Sequence, residues 1–266
     1  MNHARHITLP EGFRAAGVAC GVKTSGNRDL AIIESDTDAS AAIVTTRNQI
    51  VGAPIIWCRQ ILPRGYGKIR AMVINSGVSN VCTAQRGLDD TLTMASETAK
   101  RLGTEPEKVI VASTGVIGQH LPITKIKRGI AAAANALGRR RDSQVSEAIM
   151  TTDTTQKSAV VFTTIGGKKV TVAGIAKGSG MIAPSMATMI SVVTTDAAIS
   201  PPALKKALVA SVAGSFNAVT VDSDTSTSDI VAVLANGRAG NANITATSKQ
   251  YGKFAAALAE VCSELA

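Results

Sequence analysis

Thr188 stands where the sequence could hold a nucleophilic hydroxyl group in a fixed position. It follows a run of mostly small residues that begins at Lys177 and reads Lys-Gly-Ser-Gly-Met-Ile-Ala-Pro-Ser-Met-Ala. Pro184 restricts the backbone of this run, and the apolar segment Met189–Val193 that comes next predicts a buried strand. A hydroxyl held at the start of a strand suits a nucleophile, although the same pattern also fits an ordinary junction between a loop and a strand.

The pair Thr114-Gly115 is a second candidate, because it follows the predicted strand Val109–Ser113. A glycine at the end of a strand can leave backbone N–H groups pointing at an anion, such as the oxyanion of an acyl transfer. A plain turn is the other interpretation. Lys177 could pair with a carboxylate, and the threonines of Met150–Thr154 could contact a ligand. On the simpler view, solvent surrounds both.

No metal site is predicted from the sequence. Asp222, Asp224 and Asp229 are close together, but their spacing lacks the glycine and the terminal glutamate of a calcium loop. We therefore assign them a structural role. The four cysteines include no Cys-x-x-Cys pair, and the histidines form no metal-type pair beside a cysteine. Buried thiols in a reducing compartment are expected.

Length and composition favour one large domain or two small ones. The chain has 266 residues, of which 45% are hydrophobic and only 3% aromatic, so Val, Ile, Leu and Ala must form the core. A net charge of +9 could attract nucleic acid or carboxylate substrates. Scattered basic residues and few aromatic rings argue against nucleic acid, and Arg139–Arg141 fits a solvated helix end. Without an apolar leader or a membrane-length run, a soluble cytoplasmic protein is expected.

Alternating strands and helices must position these residues. Apolar runs predict strands at 30–33, 42–46, 70–75, 109–113, 159–164, 170–175, 188–195 and 230–235. Helical spacing predicts helices at 87–102, 122–137, 145–150, 200–213 and from 247 onward. Gly166-Gly167 predicts a hairpin, 55–57 begin a further short element, and residues 1–25 are expected to be irregular. The fold class is α/β or α+β, with mixed β-sheets layered with outer helices.

The segment that ends at Thr188 resembles the self-cleavage site of the ornithine acetyltransferase family, also called the bifunctional glutamate N-acetyltransferase family. The shared pattern is Lys-Gly-Ser-Gly-Met-Ile-Ala-Pro-x-Met-Ala-Thr-Met. Three further stretches are similar to the family: Ser-Thr-Gly-Val-Ile-Gly at 113–118, Met-Thr-Thr-Asp-Thr at 150–154, and Val-Asp-Ser-Asp-Thr-Ser-Thr-Ser-Asp at 221–229. The resemblance covers nearly the whole chain, from Gly12 to Ala266.

The resemblance implies an acyltransferase that cuts its own chain before Thr188. Breaking the Ala187–Thr188 bond would give an N-terminal α chain, residues 1–187, and a β chain, residues 188–266, whose first residue is the catalytic nucleophile. The implied fold is that of ornithine acetyltransferases and β-aminopeptidases, with an autoprocessed N-terminal nucleophile.

Site residues also follow from the resemblance. It implies that Thr114 and Gly115 form the oxyanion hole. It further implies that substrate binds to Lys177, to the nucleophile and to one threonine of the Met-Thr-Thr-Asp-Thr stretch, for which Thr151 is preferred over Thr152.

The implied reaction moves an acetyl group from N-acetylornithine to glutamate through an acetyl-threonine intermediate, in cyclic arginine biosynthesis. It needs no metal and no cofactor, although acetyl-CoA could serve as a co-substrate, as it does in some family members. The implied assembly is a heterotetramer of two α and two β chains, with no nucleic acid and no membrane as partner.

The resemblance also implies that the chain is short at its C-terminal end. Family members continue into a Gly-Glu-Gly-Ala-Thr segment whose Glu contacts substrate, and into a terminal Asn and Thr that complete the site. A truncated β chain is therefore expected. Val78, Ser79 and Ser185 depart from the family pattern but leave the nucleophile and the oxyanion residues unchanged. Two alternatives stay open: a related amide hydrolase or aminopeptidase, and an inactive remnant or fragment.

Overall fold

The computed structural model describes residues 6–180, 189–222 and 224–266, and its strands and helices are interspersed along the chain. The strands are Phe13–Val18 (β1), Leu30–Thr45 (β2), Tyr66–Val78 (β3), Val109–Val116 (β4), Lys157–Ile165 (β5), Lys168–Lys177 (β6), Ile190–Thr195 (β7) and Ile230–Ala235 (β8). The α-helices are Ala53–Ile61 (α1), Ala84–Leu102 (α2), Ile123–Asn135 (α3), Asp142–Ile149 (α4), Pro201–Ala213 (α5) and Tyr251–Leu265 (α6). Short 3-10 helices cover Pro106–Lys108 and Phe216–Ala218.

These strands form one mixed sheet in the order β4-β3-β2-β8-β7-β6-β5, with β1 paired to β2. The pairs β3/β4 and β7/β8 are parallel, and the other pairs are antiparallel. In a flat sheet, five steps of about 4.8 Å would place β4 and β6 about 24 Å apart. Instead, Lys177 Nζ of β6 lies 3.1 Å from Thr114 Oγ1 of β4. The sheet therefore curves back on itself, helped by an irregularity in β2 between Glu34 and Ala39, since such register shifts bend a strand.

Two apolar clusters bury both faces of the central strands. In β7, Ile190 and Val192 point into the first cluster, which holds residues of α1 to α4, whereas Val193 points into the second, which holds residues of α5 and α6. Burial on both faces explains why these strands read as continuous apolar runs in the sequence. The predicted fold class, mixed strands layered with outer helices, agrees with this architecture. Among the described residues, no helix is both long enough and apolar enough to cross a membrane.

Most predicted elements are confirmed, with boundaries shifted by a few residues. β8 matches its prediction residue for residue, and the predicted hairpin joins β5 to β6. Its turn residues Gly166 and Gly167 have φ of 57° and 78°, which glycine adopts without steric penalty. The predicted helix at 87–102 is α2, which ends at Gly103 in the left-handed conformation.

The prediction that residues 1–25 are irregular is wrong, because they contain β1. Gly17, which looks like a loop residue in the sequence, is required for packing: a Cβ there would lie 2.1 Å from the Gln144 carbonyl oxygen. The separate strands predicted at 30–33 and 42–46 are one strand, β2, which continues through the partly exposed stretch 36–38. Burial of all four thiols is also wrong, since Cys82 is exposed and Cys20 only half-buried.

Helix α6 should contribute strongly to stability through Phe254, whose side chain is fully buried in the second cluster. We expect Phe254→Ala to lower the free energy of unfolding by about 3–5 kcal/mol, because the lost apolar contacts leave a cavity. Chemical denaturation would measure the change. Lys253→Ala, at the exposed neighbouring position, should change it by less than about 0.5 kcal/mol. Equal effects of the two variants would contradict the placement of α6.

Candidate active site

The pair Thr114-Gly115 lies at the end of β4, beside Ser76-Gly77 at the end of β3. Gly77 and Gly115 have φ of 108° and 129°, which only glycine adopts readily. A Cβ at Gly115 would lie 2.3 Å from the Gly77 carbonyl carbon. The two strand ends therefore touch backbone to backbone, and both positions require glycine.

Hydrogen bonds below this pair hold the two strand ends in place. Ser113 Oγ donates to Asn75 Oδ1 at 2.6 Å, and Asn75 Nδ2 donates to the Val78 carbonyl oxygen at 2.9 Å. The Ser79 hydroxyl and backbone N–H both donate to the Val116 carbonyl oxygen, each at 2.9 Å. The two loops thus fix each other, as stabilisation of an oxyanion by preorganised donors requires.

Lys177 is buried at the end of β6, with 2% of its surface exposed. Burial lowers the pKa of its ammonium group, while Asp153 and Asp229 act in the opposite direction. An ammonium group has hydrogen-bond donors only, so the Thr114 oxygen accepts from Nζ across the 3.1 Å contact. The hydroxyl hydrogen of Thr114 is then left to donate to another acceptor. A cation beside a free donor can stabilise a developing negative charge.

Asp153 connects the threonine-rich stretch Met150–Thr154 to the residues that follow β6. Its Oδ2 accepts the N–H of Thr151 at 3.1 Å, and its Oδ1 accepts the N–H of Gly178 at 2.6 Å. The hydroxyl groups of Thr152 and Ser179 share a further hydrogen bond of 2.7 Å. The carboxylate of Asp153 and the hydroxyl group of Ser179 thus hold both candidate threonines next to the end of β6.

These groups meet in one cavity of about 770 Å³, a size that suits a small ligand. Its lining includes Lys23, Thr114, Gly115, Thr151, Thr152 and Lys177. All the predicted site residues that the structure describes therefore lie around the same cavity. Ala187 and Thr188, the predicted cleavage site and nucleophile, lie outside the described residues. No group of three or more His, Cys, Asp or Glu side chains in the described ranges could hold a metal ion.

The chain is described again from Met189, the residue that follows Thr188. Ile190 pairs with Lys177 of β6 on one side and with Ile230 of β8 on the other. Met189 therefore lies one residue away from the cross-strand partner of the lysine that contacts Thr114. The start of β7 and the Thr114-Gly115 pair are brought together by this lysine.

Another wall of the cavity is formed by the loop at 20–23, which none of the motifs predicts. The Asp29 carboxylate accepts the four backbone N–H groups of this loop at 2.6–3.0 Å. The loop places Lys23 on the cavity wall, where Nζ donates to the Arg28 carbonyl oxygen at 2.7 Å. Burial lowers the pKa of Lys23. The one signal in the sequence is an aspartate directly before an apolar strand.

Asp229 gives the same signal, since it directly precedes β8. It is fully buried, and its Oδ1 accepts the N–H of Met189 at 2.9 Å. Its Oδ2 has no hydrogen-bond partner among the described residues, and the nearby hydroxyl of Thr46 donates to the Ser226 carbonyl oxygen instead. Burial raises the pKa of the Asp229 carboxyl group to about 7, although the Met189 N–H, the nearby hydroxyl groups of Ser226 and Thr46, and Lys177 act in the opposite direction. The structural role assigned from the sequence leaves out this contact beside the predicted nucleophile.

The Asp229 carboxyl group should make stability depend on pH. Its pKa rises from 3.8 to about 7 on folding, so the folded chain binds this proton more tightly than the unfolded chain does. The stabilisation is complete below the unfolded pKa and is lost as pH rises through the folded pKa. Relative to Asp229→Asn, the free energy of unfolding of the parent should fall by about 2 kcal/mol as the pH rises from about 5.5 to about 8.

Denaturant unfolding at a series of pH values would measure this difference. Every chain in the comparison would carry Thr188→Ala, which removes the predicted nucleophile, so that the predicted cleavage could not complicate the comparison. Asp224→Asn, at an exposed position in the same loop, serves as the control and should follow the parent. Parallel pH curves for the parent and Asp229→Asn would show that Asp229 does not titrate in this range.

The sequence matches a known family over most of its length. The model of the ArgJ family covers residues 14–266. The arginine biosynthesis bifunctional protein ArgJ of Symbiobacterium thermophilum is 47% identical over 265 residues, an alignment that covers 98% of this chain and 65% of that protein. This chain therefore spans less than two thirds of the length of that relative.

Solved structures support the fold. The ornithine acetyltransferase of Mycobacterium tuberculosis, solved in complex with ornithine, is 38% identical with a TM-score of 0.60, and the match covers 69% of this chain and 96% of that chain. The L-aminopeptidase D-Ala-esterase/amidase of Ochrobactrum anthropi, a variant of the Ntn hydrolase fold, is 13% identical with a TM-score of 0.57 over 98% of this chain and 85% of that chain. This second likeness concerns the fold alone. The predicted fold is confirmed by both comparisons.

Proposed function

The chain belongs to the ArgJ family, and we propose that it is an acyltransferase of arginine biosynthesis that moves an acetyl group from N-acetylornithine to glutamate. One observation carries this proposal: buried Lys177 joins the start of β7, two residues after Thr188, to Thr114 at the end of β4. Acyl transfer needs a nucleophile next to a preformed oxyanion site. The substrates are those that the family resemblance implies, and the Symbiobacterium relative is an arginine biosynthesis bifunctional protein.

Thr188 becomes available through cleavage of the Ala187–Thr188 bond. Its Oγ attacks the Ala187 carbonyl carbon, the hydroxyl proton passes to the departing nitrogen, and an ester links the two segments. Water then hydrolyses the ester, which leaves a carboxylate on Ala187 and restores the hydroxyl group beside a new amine. The length of the Mycobacterium tuberculosis chain supports this step. The match covers 96% of the Mycobacterium tuberculosis chain but only 69% of this chain. Residues 1–187 make up 70% of this chain, so the solved chain is about as long as the segment before the cut.

The new amine of Thr188 acts as the base for its own hydroxyl group, because both belong to one residue. Oγ attacks the acetyl carbonyl of N-acetylornithine, and the oxyanion accepts hydrogen bonds from Thr114 and Gly115, each of which contributes roughly 3–4 kcal/mol. Ornithine leaves as an amine that takes up the proton, and acetyl-threonine remains. The amine of glutamate then attacks this ester, releases N-acetylglutamate and returns the proton to Oγ.

Lys177 and Lys23 form the positive side of the cavity. The ammonium group of Lys177 suits the carboxylate of an amino-acid substrate, and Thr151, with Thr152 as the second choice, adds a hydrogen-bonding group nearby. The net charge of +9 attracts anionic substrates over a longer range. Nothing in this scheme needs a metal or a bound cofactor, and acetyl-CoA is an alternative acetyl donor.

After cleavage the two chains stay together, because strands of one segment pair with strands of the other. β7 pairs with β6, and β8 pairs with β2, so the segment after residue 187 is held in the sheet by strands that precede the cut. The proposed assembly is a heterotetramer of two α and two β chains. The proposed location is the cytoplasm.

Acetyl transfer between labelled N-acetylornithine and glutamate tests this function. The expected product is N-acetylglutamate, with an intermediate in which the segment starting at Thr188 gains the mass of one acetyl group. Release of free acetate without any need for glutamate would instead identify an amide hydrolase. Failure of transfer by this chain, both alone and when joined to the C-terminal third of the Symbiobacterium relative, would contradict the proposal.

A further inference from the structure

Asp229 holds the backbone directly after the proposed cleavage site. Its Oδ1 accepts the N–H of Met189 at 2.9 Å, and the next residue, Ile230, donates its N–H to the Met189 carbonyl oxygen at 3.0 Å. Met189 is therefore held at both of its backbone polar groups. Asp229 is itself fixed, since its carbonyl oxygen accepts the N–H of Thr46 at 3.1 Å.

The second carboxyl oxygen of Asp229 is an exception among buried polar groups, most of which have hydrogen-bond partners. Oδ2 is buried without a hydrogen-bond partner among the described residues, and a buried polar atom of this kind is destabilising. Such an atom in a native structure calls for an explanation. The charged group that faces Asp229 is Lys177 of β6, and its neighbours from the end of β2 and from the loop before β8 are the hydroxyl groups of Thr46 and Ser226.

We propose that Asp229 is a positioning residue for self-cleavage, whose carboxylate fixes the peptide N–H of Met189 and with it the chain that follows the scissile bond. This inference rests on the proposed cleavage of the Ala187–Thr188 bond. The attacking oxygen must be held at roughly 3–3.5 Å from the carbonyl carbon for such a step. A carboxylate acceptor makes a charge-assisted bond to the N–H group, which is shorter and stronger than a neutral one.

The charge of Asp229 separates this role from simple packing. Burial raises its pKa to about 7, so the carboxylate, which is the competent form, is depleted as pH falls below neutrality. Cleavage of the parent chain should therefore slow by about tenfold for each pH unit below this pKa and level off above it. Asp229→Asn keeps the shape of the side chain and an acceptor for the Met189 N–H, but it has no charge and cannot titrate.

The test follows cleavage of the 266-residue chain by intact mass after refolding from urea, at a series of pH values. At about pH 8, Asp229→Asn should cleave at least about tenfold more slowly than the parent, and its profile should lack the inflection near neutrality. Asp229→Ala should be slower still. Asp224→Asn is the matched control and should behave as the parent does. Circular dichroism of each refolded chain checks that it has folded.

Two results would overturn the inference alone. One is cleavage of Asp229→Asn at the parent rate. The other is a slowed variant that keeps the inflection, because a purely structural role would lower the rate without removing the titration. A parent chain that never cleaves would contradict the proposed function, and the inference would fall with it. If Asp229→Asn does not fold, Asp229→Glu takes its place. Asp229→Glu keeps the charge and should cleave with the inflection retained, and loss of the inflection in this variant would also overturn the inference.

Discussion

Replacing Thr188 by alanine should leave the chain in one piece and abolish acetyl transfer. Alanine has no hydroxyl group to attack the carbonyl carbon of residue 187, and without cleavage no amine is available as the base. We expect the rates of cleavage and of acetyl transfer each to fall by at least about 10³-fold, which is typical when a nucleophile is removed. Intact mass spectrometry of the purified chain measures the cleavage, and N-acetylglutamate formation measures the transfer.

Two further variants make this result specific to the hydroxyl group. Thr188→Ser keeps the nucleophile and should still cleave, at a reduced rate. Thr164→Ala removes an exposed threonine from β5 and should cleave as the parent does. Cleavage of Thr188→Ala at the same bond would show that another group performs the attack.

Gly115→Ala should have the second largest effect, because the strand ends leave no room for a side chain. The added Cβ would lie 2.3 Å from the Gly77 carbonyl carbon, at a φ of 129° that alanine rarely adopts. Relief of this clash must move Gly115, and with it the neighbouring hydroxyl group of Thr114. We expect transfer to fall by about 10²–10³-fold, the usual effect of losing one oxyanion donor.

The matched control for this variant is Gly118→Ala. Gly118 also has a positive φ, of 82°, but an added Cβ there would meet no atom within 4 Å. It therefore reproduces the backbone strain without the clash and should keep most of the activity. Thr114→Val, which removes the hydroxyl group at nearly constant volume, should resemble Gly115→Ala. Equal and small effects of all three variants would mean that the oxyanion binds elsewhere.

Local patterns in the sequence predict most of the elements around the site. The run Ile230–Ala235 is a strand with the predicted ends, and Gly166-Gly167 makes the predicted hairpin turn, because both depend on neighbouring residues alone. β1 is not predicted, because its sequence reflects contacts with residues that are distant in the chain. Its six residues include Gly17, whose small size serves contact with Gln144, more than a hundred residues away in the chain.

The meeting of the site residues depends on the curvature of the sheet, which no local pattern encodes. Lys177 and Thr114 are 63 residues apart and belong to strands five steps apart in the sheet order, yet they form a hydrogen bond. The resemblance to a family names both residues without explaining their contact. Asp29 and Asp229 show a related limit of prediction from sequence. An aspartate before an apolar strand is visible in the sequence, but the N–H groups that donate hydrogen bonds to it are known only from the folded chain.

The measurement that tests the central claim most directly is the intact mass and N-terminal sequence of the purified, unmodified chain. Self-cleavage before Thr188 predicts two polypeptides that copurify, one of 187 residues and one of 79 residues that begins Thr-Met-Ile-Ser at Thr188. A single polypeptide of 266 residues after prolonged incubation of a folded sample, or a new N-terminus at any other residue, would contradict it.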